Sequence, residues 1–265
     1  MATRTTPFAA GTPCWVDLLS SDVDRAKRFY HEVFGWDAVD SDQEFGGYVN
    51  FESDGHKVAG MMANAADSGM PDVWSTYLST DDLPATVDAA VRAGGTIVAA
   101  PMQVGDLGSM AIVTDAAGAV VGFWQAGKHT GFGKYNEPGS VTWDELHSKN
   151  FAASREFYAA VLGWGYQPMS DTDEFRYFTG QVNGETVAGL MDSASFLPAE
   201  VPSMWTVYFA TADIDATVEK VVAAGGRVIR PPETTPFGRI GEFADPTGAM
   251  FKLHTEAEQA PESSG

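Results

Sequence analysis

An internal duplication constrains this chain more than any other feature of its sequence. The segment "GTPCWVDLLSSDVDRAKRFYHEVFGW" from Gly11 aligns without a gap to "GSVTWDELHSKNFAASREFYAAVLGW" from Gly139. The match returns as "VAGMM" and "VAGLM", and later as "DAAGAVVGF" and "DPTGAMFKL". The sequence therefore predicts one domain over residues 8–128 and a homologous one over 137–256, joined by a glycine-rich linker. The composition of the polar, acidic tail 257–265 predicts disorder.

A shorter pattern repeats inside each half. In the first half, the strand-like "CWVDLLS" leads into a helix that begins near Asp22 and ends at Gly35, with apolar positions at the helical period. Alternating segments follow, and the same order returns from "VWSTYLST" through a helix over Asp81–Ala93. Each half is thus predicted to contain two βαβββ units, an α+β arrangement. A doubly wound parallel sheet is excluded, because several strands follow one another without an intervening helix.

The charge balance and the cysteine count narrow the class of protein. The chain has 36 acidic and 16 basic residues, a formal net charge of −20, which disfavours nucleic acid or an anionic membrane as a partner. Its single cysteine, Cys14, cannot form an internal disulfide, and the N-terminal segment has no apolar run typical of a signal peptide or membrane span. We therefore expect a cytoplasmic protein whose partner is a small-molecule ligand or substrate.

Several of these motifs resemble those of a known superfamily. The stretch "WVDLLSSDVDRAKRFYHEVFGW", the "DDL" helix start with its "AGG" stop, and the "DPTGA" turn are similar to the vicinal oxygen chelate superfamily. That superfamily groups glyoxalase I, bleomycin-resistance proteins and extradiol dioxygenases, and the chain resembles its tandem two-domain members. The resemblance implies a half-open mixed barrel in each half, whose concave face, here called the cup, holds the site. It also implies a monomer with internal pseudo-symmetry, with a homodimer as the alternative.

The resemblance also implies where metal ligands would stand. The corresponding positions are Trp15, Met61 or Met62, Ser75 and Gly122 in the first half, and Trp143, Leu190 or Met191, Thr206 and Lys252 in the second. None of these is a good ligand for the divalent metals of this superfamily, which need imidazole or carboxylate donors. We therefore expect no cofactor. An atypical divalent-metal site made of Glu145, His147 and His254 is the alternative.

Asp17 and Glu145 align on the first strand of each half and are the candidate catalytic residues. Each is either a general base whose pKa is raised by apolar surroundings or an acceptor of hydrogen bonds from its neighbours. His147, near the end of its strand, is predicted to be solvated and without a role. His31, His56 and His129 are likewise predicted to be solvated, and Cys14 an inert thiol.

Aromatic side chains are predicted to line the two cups. The candidate ligand-binding residues are Trp15, Trp74, Tyr77, Trp124, Trp143, Trp205, Tyr208 and Lys252. Loops starting at Pro101 and Pro232 are expected to flank the cup mouths as flaps. Two functions remain open. The first is a protein that binds a small organic molecule without metal. The second is a lyase, isomerase or dioxygenase-like enzyme that uses an atypical metal site or a carboxylate base.

Overall fold

A computed structural model describes residues 6–41 and 46–256, so the acidic tail 257–265 lies outside the described residues. The first half contains β1 (Pro13–Ser20), α1 (Val23–Phe34), β2 (Asp37–Asp40), β3 (Val49–Ser53), β4 (His56–Ala63), β5 (Val73–Ser79), α2 (Leu83–Arg92), β6 (Thr96–Val104), β7 (Gly108–Thr114) and β8 (Val120–Ala126). The second half contains β9 (Val141–Ser148), α3 (Phe151–Leu162), β10 (Gly165–Asp171), β11 (Arg176–Val182), β12 (Glu185–Asp192), β13 (Met204–Ala210), α4 (Ile214–Ala223), β14 (Arg227–Thr235), β15 (Gly238–Ala244) and β16 (Met250–Thr255).

Each half forms one eight-stranded mixed sheet. The strand order is β2-β3-β4-β1-β5-β8-β7-β6 in the first sheet, and β10-β11-β12-β9-β13-β16-β15-β14 in the second. The first strands of the two βαβββ units, β1 with β5 and β9 with β13, pair antiparallel at the centre of each sheet. The structure thus confirms the predicted α+β class and the tandem repeat, with sheets that remain open.

The helices begin and end where the repeat predicts. Asp22 and Asn150 accept a hydrogen bond from the backbone N–H three residues later, at the first turns of α1 and α3. Gly35 and Gly163 then end these helices in the left-handed conformation, which costs glycine little because it has no Cβ. No helix in the described part of the chain is both long and apolar enough to cross a membrane.

The hydrophobic cores are shared between the halves. Helix α1 packs against α4, and α2 packs against α3, so each core joins one unit of the first half to one unit of the second. In the first core, Phe34 and Trp36 contact Phe209, with ring centroids 5.3 Å apart in both pairs. Burial of these aromatic rings stabilises the contact between the two sheets.

Residues that repeat between the halves also form hydrogen bonds across them. The Trp36 indole donates to the Gly139 carbonyl at 2.7 Å, and the Trp164 indole donates to the Gly11 carbonyl at 2.9 Å. Tyr30 on α1 donates to Asp245, in the turn before β16, at 3.1 Å. Ser154 on α3 reaches Asp115, in the turn before β8, at 2.9 Å. The repeated glycine, tryptophan and aspartate positions therefore stabilise the junction of the two halves.

Candidate functional site

Each sheet has two faces of different character. The inner face packs against helices and the other half, and the cup face lies opposite. On β1, Val16 and Leu18 on the inner face are fully buried, whereas Trp15 and Asp17 point into the first cup, called cup 1. On β9, Trp143, Glu145 and His147 point into the second cup, called cup 2.

Two of the predicted cup residues lie on the inner face instead. Trp74 pairs with Leu18 and donates a hydrogen bond to Tyr30 of α1 at 3.0 Å. Trp205 likewise donates to Tyr158 of α3 at 2.9 Å. The prediction that Trp74 and Trp205 line the cups was therefore wrong, because strand register turns them into the cores. Tyr77 and Tyr208, three residues further along β5 and β13, do face the cups.

In cup 1, aromatic hydrogen-bond donors surround the Asp17 carboxylate. Its Oδ1 accepts from Trp15 Nε1 at 2.9 Å and from Tyr48 Oη at 2.5 Å, and Tyr77 also donates to this carboxylate. Burial raises the pKa of Asp17, and these hydrogen bonds only partly offset the effect. Gly122 is the Cα partner of Tyr77 on the next strand and supplies no side chain.

The linker between the halves packs over cup 1. The His129 ring lies 4.4 Å from the Trp15 ring and 5.4 Å from the Trp124 ring, centroid to centroid. Trp124 Nε1 donates to the His129 carbonyl, and Phe132 packs against Trp15. Burial lowers the pKa of His129 to about 4, so the predicted solvated histidine is a largely buried and neutral one. Cup 1 is therefore closed at this end by the protein's own side chains.

Cup 2 contains a connected polar network around Glu145. Its Oε1 lies 2.7 Å from His147 Nε2 and 2.6 Å from Tyr208 Oη, and Lys252 Nζ approaches it at 3.4 Å. Lys252 Nζ also donates to Tyr208 Oη at 2.7 Å and lies 3.3 Å from His147 Nε2. His147 is only 6% exposed, so the prediction that it is solvated was wrong.

The network makes Glu145 electrostatically different from Asp17. Burial disfavours ionisation of Glu145, but the Lys252 ammonium and the hydrogen bonds from His147 and Tyr208 outweigh it. The pKa of Glu145 is consequently held well below its usual range, and the carboxylate is ionised. Burial, together with the neighbouring Glu145, raises the pKa of Tyr208 well above its usual value. Tyr208 is therefore a neutral hydrogen-bond donor at physiological pH.

Two tyrosines and two glycines complete the networks and were not predicted. Tyr48 in cup 1 and Tyr177 in cup 2 each accept a hydrogen bond from the indole of Trp15 or Trp143. Beside them, Gly60 and Gly189 have no side chain. A Cβ there would lie 1.7 Å from Tyr48 Oη or 2.4 Å from Tyr177 Oη. Tyr48 and Tyr177 occupy matching places in the duplication, which is the signal that could have identified them.

Three exposed phenylalanines surround the mouth of cup 2. Phe175, Phe196 and Phe237 are 43%, 49% and 49% exposed, and they come from three different loops. The Phe175 and Phe237 rings both contact the Tyr177 ring, and the Phe196 ring contacts His147. Exposed apolar side chains grouped around one opening are typical of a ligand entrance.

Thr206 supplies an unpaired polar atom in the same cup. It is the Cα partner of Glu145 on β13 and is only 5% exposed. Its Oγ1 is buried and, within the described residues, has no hydrogen-bond partner. A buried hydroxyl without a partner is unfavourable, so a ligand oxygen or nitrogen atom that reached it would be stabilised there.

The structure also gives the positions of the predicted flaps, of the single cysteine and of two further histidines. The segments from Pro101 and Pro232 belong to the β6–β7 and β14–β15 hairpins, which corrects the prediction that they are loops. Cys14 is 1% exposed and lies within β1, and burial raises the pKa of its thiol. His31 lies on α1 with most of its side chain exposed, and half-buried His56 begins β4.

The family model of the Glyoxalase/Bleomycin resistance protein/Dioxygenase superfamily matches residues 14–123 and again 142–253. The chain belongs to this superfamily. CFP32 of Mycobacterium tuberculosis, which bears a glyoxylase name, is a relative 38% identical over 257 residues, covering 95% of this chain and 97% of that protein. The anthracycline biosynthesis protein DnrV of Streptomyces peucetius is 37% identical over 279 residues, covering 98% of both chains.

A solved structure of the superfamily has the same overall fold. The Mn(II)-bound glyoxalase from Novosphingobium aromaticivorans has a TM-score of 0.66 at 17% identity, covering 94% of this chain and 83% of that one. At this identity the likeness concerns the fold alone, so the chemistry of this superfamily member has to be read from its own residues.

The residues of cup 2 do not fit a divalent metal. The Lys252 ammonium lies within 3.4 Å of both Glu145 Oε1 and His147 Nε2, so a positive charge already stands beside the two donors. His254 does not join them, because its Nε2 lies 2.6 Å from the Phe237 carbonyl. Across residues 6–41 and 46–256, no three His, Cys, Asp or Glu side chains are grouped to hold a metal. The alternative site of Glu145, His147 and His254 is therefore not assembled.

Proposed function

We propose that cup 2 binds a small aromatic molecule through a carbonyl or phenolic oxygen, without a metal. The observation that carries this proposal is the polar network of Glu145, His147, Tyr208 and Lys252 at the base of a mouth surrounded by exposed phenylalanines. An apolar entrance with a few fixed polar groups is the usual composition of a small-molecule site.

The hydrogen-bond capacity of the cup supports a ligand oxygen. Thr206 Oγ1 is an unpaired donor, and the contacts of Lys252 to Glu145 and His147 are long, at 3.4 and 3.3 Å. A ligand oxygen between Thr206 and Lys252 would accept from both and replace these weak contacts with shorter ones.

Cup 1 is proposed to be structural, because the linker side chains His129 and Phe132 already pack over its Trp15 wall.

The name of the relative DnrV, an anthracycline biosynthesis protein, makes polycyclic aromatic phenols and quinones the first compounds to test.

The test compares 1,8-dihydroxyanthraquinone with anthracene, which has the same ring system but no oxygen. Binding is followed by tryptophan fluorescence in the presence of EDTA. We expect the quinone alone to bind measurably. Thr206→Val should weaken binding about tenfold, the loss expected for one hydrogen bond of roughly 1.4 kcal/mol. Lys252→Met should weaken it more.

Ser75→Ala is the matched control, because Ser75 is the counterpart of Thr206 in cup 1. Its affinity for the quinone should equal that of the unmodified protein. Unchanged affinity in both cup 2 variants, or binding that disappears with EDTA, would refute the proposal.

A second candidate function is proton transfer on a bound carbonyl compound. It is favoured by the short contact between His147 Nε2 and ionised Glu145, since a histidine oriented by a carboxylate is a common general base. Lys252 and Tyr208 would stabilise the resulting enolate oxygen. Hydrogen–deuterium exchange of an α-hydroxy ketone, measured by NMR in D₂O, should then be catalysed and should be lost in His147→Asn. Exchange no faster than in buffer would exclude this candidate.

A further inference from the structure

A cavity of about 400 Å³ lies between the two halves, beside the start of β9. Its aromatic walls are Phe8 from the segment before β1, Phe132 and Tyr135 from the linker, and Trp143 from β9. The charged residues in the lining are Asp144 and Glu185, and the described lining contains no lysine, arginine or histidine. The described part of the lining therefore combines four aromatic side chains with two acidic residues and no basic one.

Asp144 is the unusual member of this lining. It lies on the inner face of β9, is 2% exposed, and accepts a hydrogen bond from Thr76 of β5 at 2.6 Å. Among the described residues no cation pairs with it, and burial raises its pKa to about 7. A buried carboxylate with so little compensation is costly. The fold does not require one here, because the aligned residue in the first half is Val16, which is fully buried.

The corresponding space in the first half is filled. There the linker runs along the β3–β4 turn, with the Gly133 N–H donating to the Lys57 carbonyl at 2.8 Å. Lys134 Nζ donates to Ser53 and Asp54 in the same turn, at 3.0 Å in each case. The matching β11–β12 turn of the second half instead borders the cavity. Among residues 6–41 and 46–256, Asp144 and the open space therefore occur on the same side of the pseudo-symmetric molecule.

We propose that this cavity binds an organic cation, namely a protonated amine attached to a flat apolar group. The ammonium would meet the Asp144 carboxylate, and the apolar group would lie among Phe8, Phe132, Tyr135 and Trp143. Aromatic faces attract cations, and a carboxylate in a nonpolar surrounding gains most from a paired positive charge. The site is separate from the Glu145 network, although Trp143 borders both.

The experiment compares 2-(1-naphthyl)ethylamine with 2-(1-naphthyl)ethanol, which has a similar shape but no charge. Isothermal titration calorimetry of the full chain at pH 8, where Asp144 is mostly ionised, should show the amine binding at least about tenfold more tightly. Asp144→Asn should abolish this preference. Asp17→Asn, which alters a carboxylate in cup 1, is the matched control and should preserve it.

A second variant keeps the proposal testable if Asp144→Asn fails to fold. Thr186 is exposed at the cavity rim, so Thr186→Trp should fill the opening and abolish binding of the amine while leaving Asp144 in place. Equal affinity for amine and alcohol would overturn the proposal. So would an amine preference that persists in folded Asp144→Asn, or amine binding that persists in Thr186→Trp.

Discussion

Asp17 and Glu145 occupy the same position in the duplicated sequence, yet their surroundings give them opposite properties. Asp17 has only neutral donors and a raised pKa, whereas Glu145 has the Lys252 ammonium and a lowered one. The largest contribution to the difference comes from one position of the last strand, which is Gly122 in the first half and Lys252 in the second. The pKa values of the two aligned carboxyls are thus shifted in opposite directions, with the Lys252 ammonium the largest single cause of the lowering at Glu145.

Replacing Lys252 by Met tests this dependence. The variant leaves Glu145 buried without its cation, so the pKa of Glu145 in the folded protein should rise above 4.5, its ordinary value in the unfolded chain. The free energy of unfolding should therefore fall as pH increases above 4.5. Breaking a buried pair in this way costs on the order of 3–5 kcal/mol at pH 7. Urea unfolding at pH 5 and pH 7 measures the loss. The double variant Lys252→Met with Glu145→Gln should recover most of it, and equal stabilities of single and double variants would contradict the assignment.

At the scale of elements, β5 of the first sheet meets β9 of the second through Thr76 and Asp144. The folded-state pKa of Asp144, about 7, exceeds its ordinary value of 3.8. The native state therefore binds more protons than the unfolded chain between about pH 4 and pH 7, and stability decreases as pH rises through that window.

In the duplication, Asp144 corresponds to Val16 and Thr76 corresponds to Val207. Changing both Asp144 and Thr76 to Val therefore reproduces the apolar pair found at the equivalent positions of β1 and β13. We expect the double variant to be more stable than the parent above pH 7, by roughly 1–3 kcal/mol, and to converge with it towards pH 4. Thermal unfolding across this pH range compares the two proteins. The groups of both cups are unchanged, so the difference between the two curves isolates Asp144. Parallel curves would show that Asp144 does not titrate as inferred.

Strand periodicity predicts the elements, and it also assigns each residue of a strand to one of two faces. Trp74 and Tyr77 are three residues apart on one strand, so they cannot share a face, and the same holds for Trp205 and Tyr208. That rule alone shows that one residue of each pair must lie outside the cups, and the observed register identifies it as the tryptophan. The position of His129 could not be predicted in this way, because a linker has no periodicity and its path depends on tertiary contacts. The approach of Lys252 to His147 likewise depends on the register of three strands.

For the whole molecule, neither half contains a complete core of its own. Helix α1 lies against α4 and α2 against α3, and the Trp36 and Trp164 indoles each donate to a backbone carbonyl of the other half. The sequence boundaries at 8–128 and 137–256 therefore describe units of duplication, whereas each packed core takes one βαβββ unit from either side.

Separate expression of the halves tests this organisation. Residues 1–133 alone would expose Tyr30, Trp36 and Trp74, which are at most 3% exposed in the whole chain. We expect this fragment to be dimeric or aggregated, and to form a one-to-one complex when produced together with residues 134–265. Size-exclusion chromatography with light scattering measures the masses. A monomeric first half that unfolds cooperatively by itself would contradict the shared-core description.

The crossed hydrogen bonds also bear on how such a duplicated gene can diverge. Tyr30 of the first half donates to Asp245 of the second, and Ser154 of the second donates to Asp115 of the first. A substitution at one of these positions therefore removes a hydrogen bond to the other half unless the partner residue changes as well. The polar networks around Asp17 and Glu145 are not constrained in this way, because the hydrogen bonds of each lie within one sheet. After a duplication, junction residues would therefore have to change in matched pairs, whereas the residues of each cup could change independently of the other half.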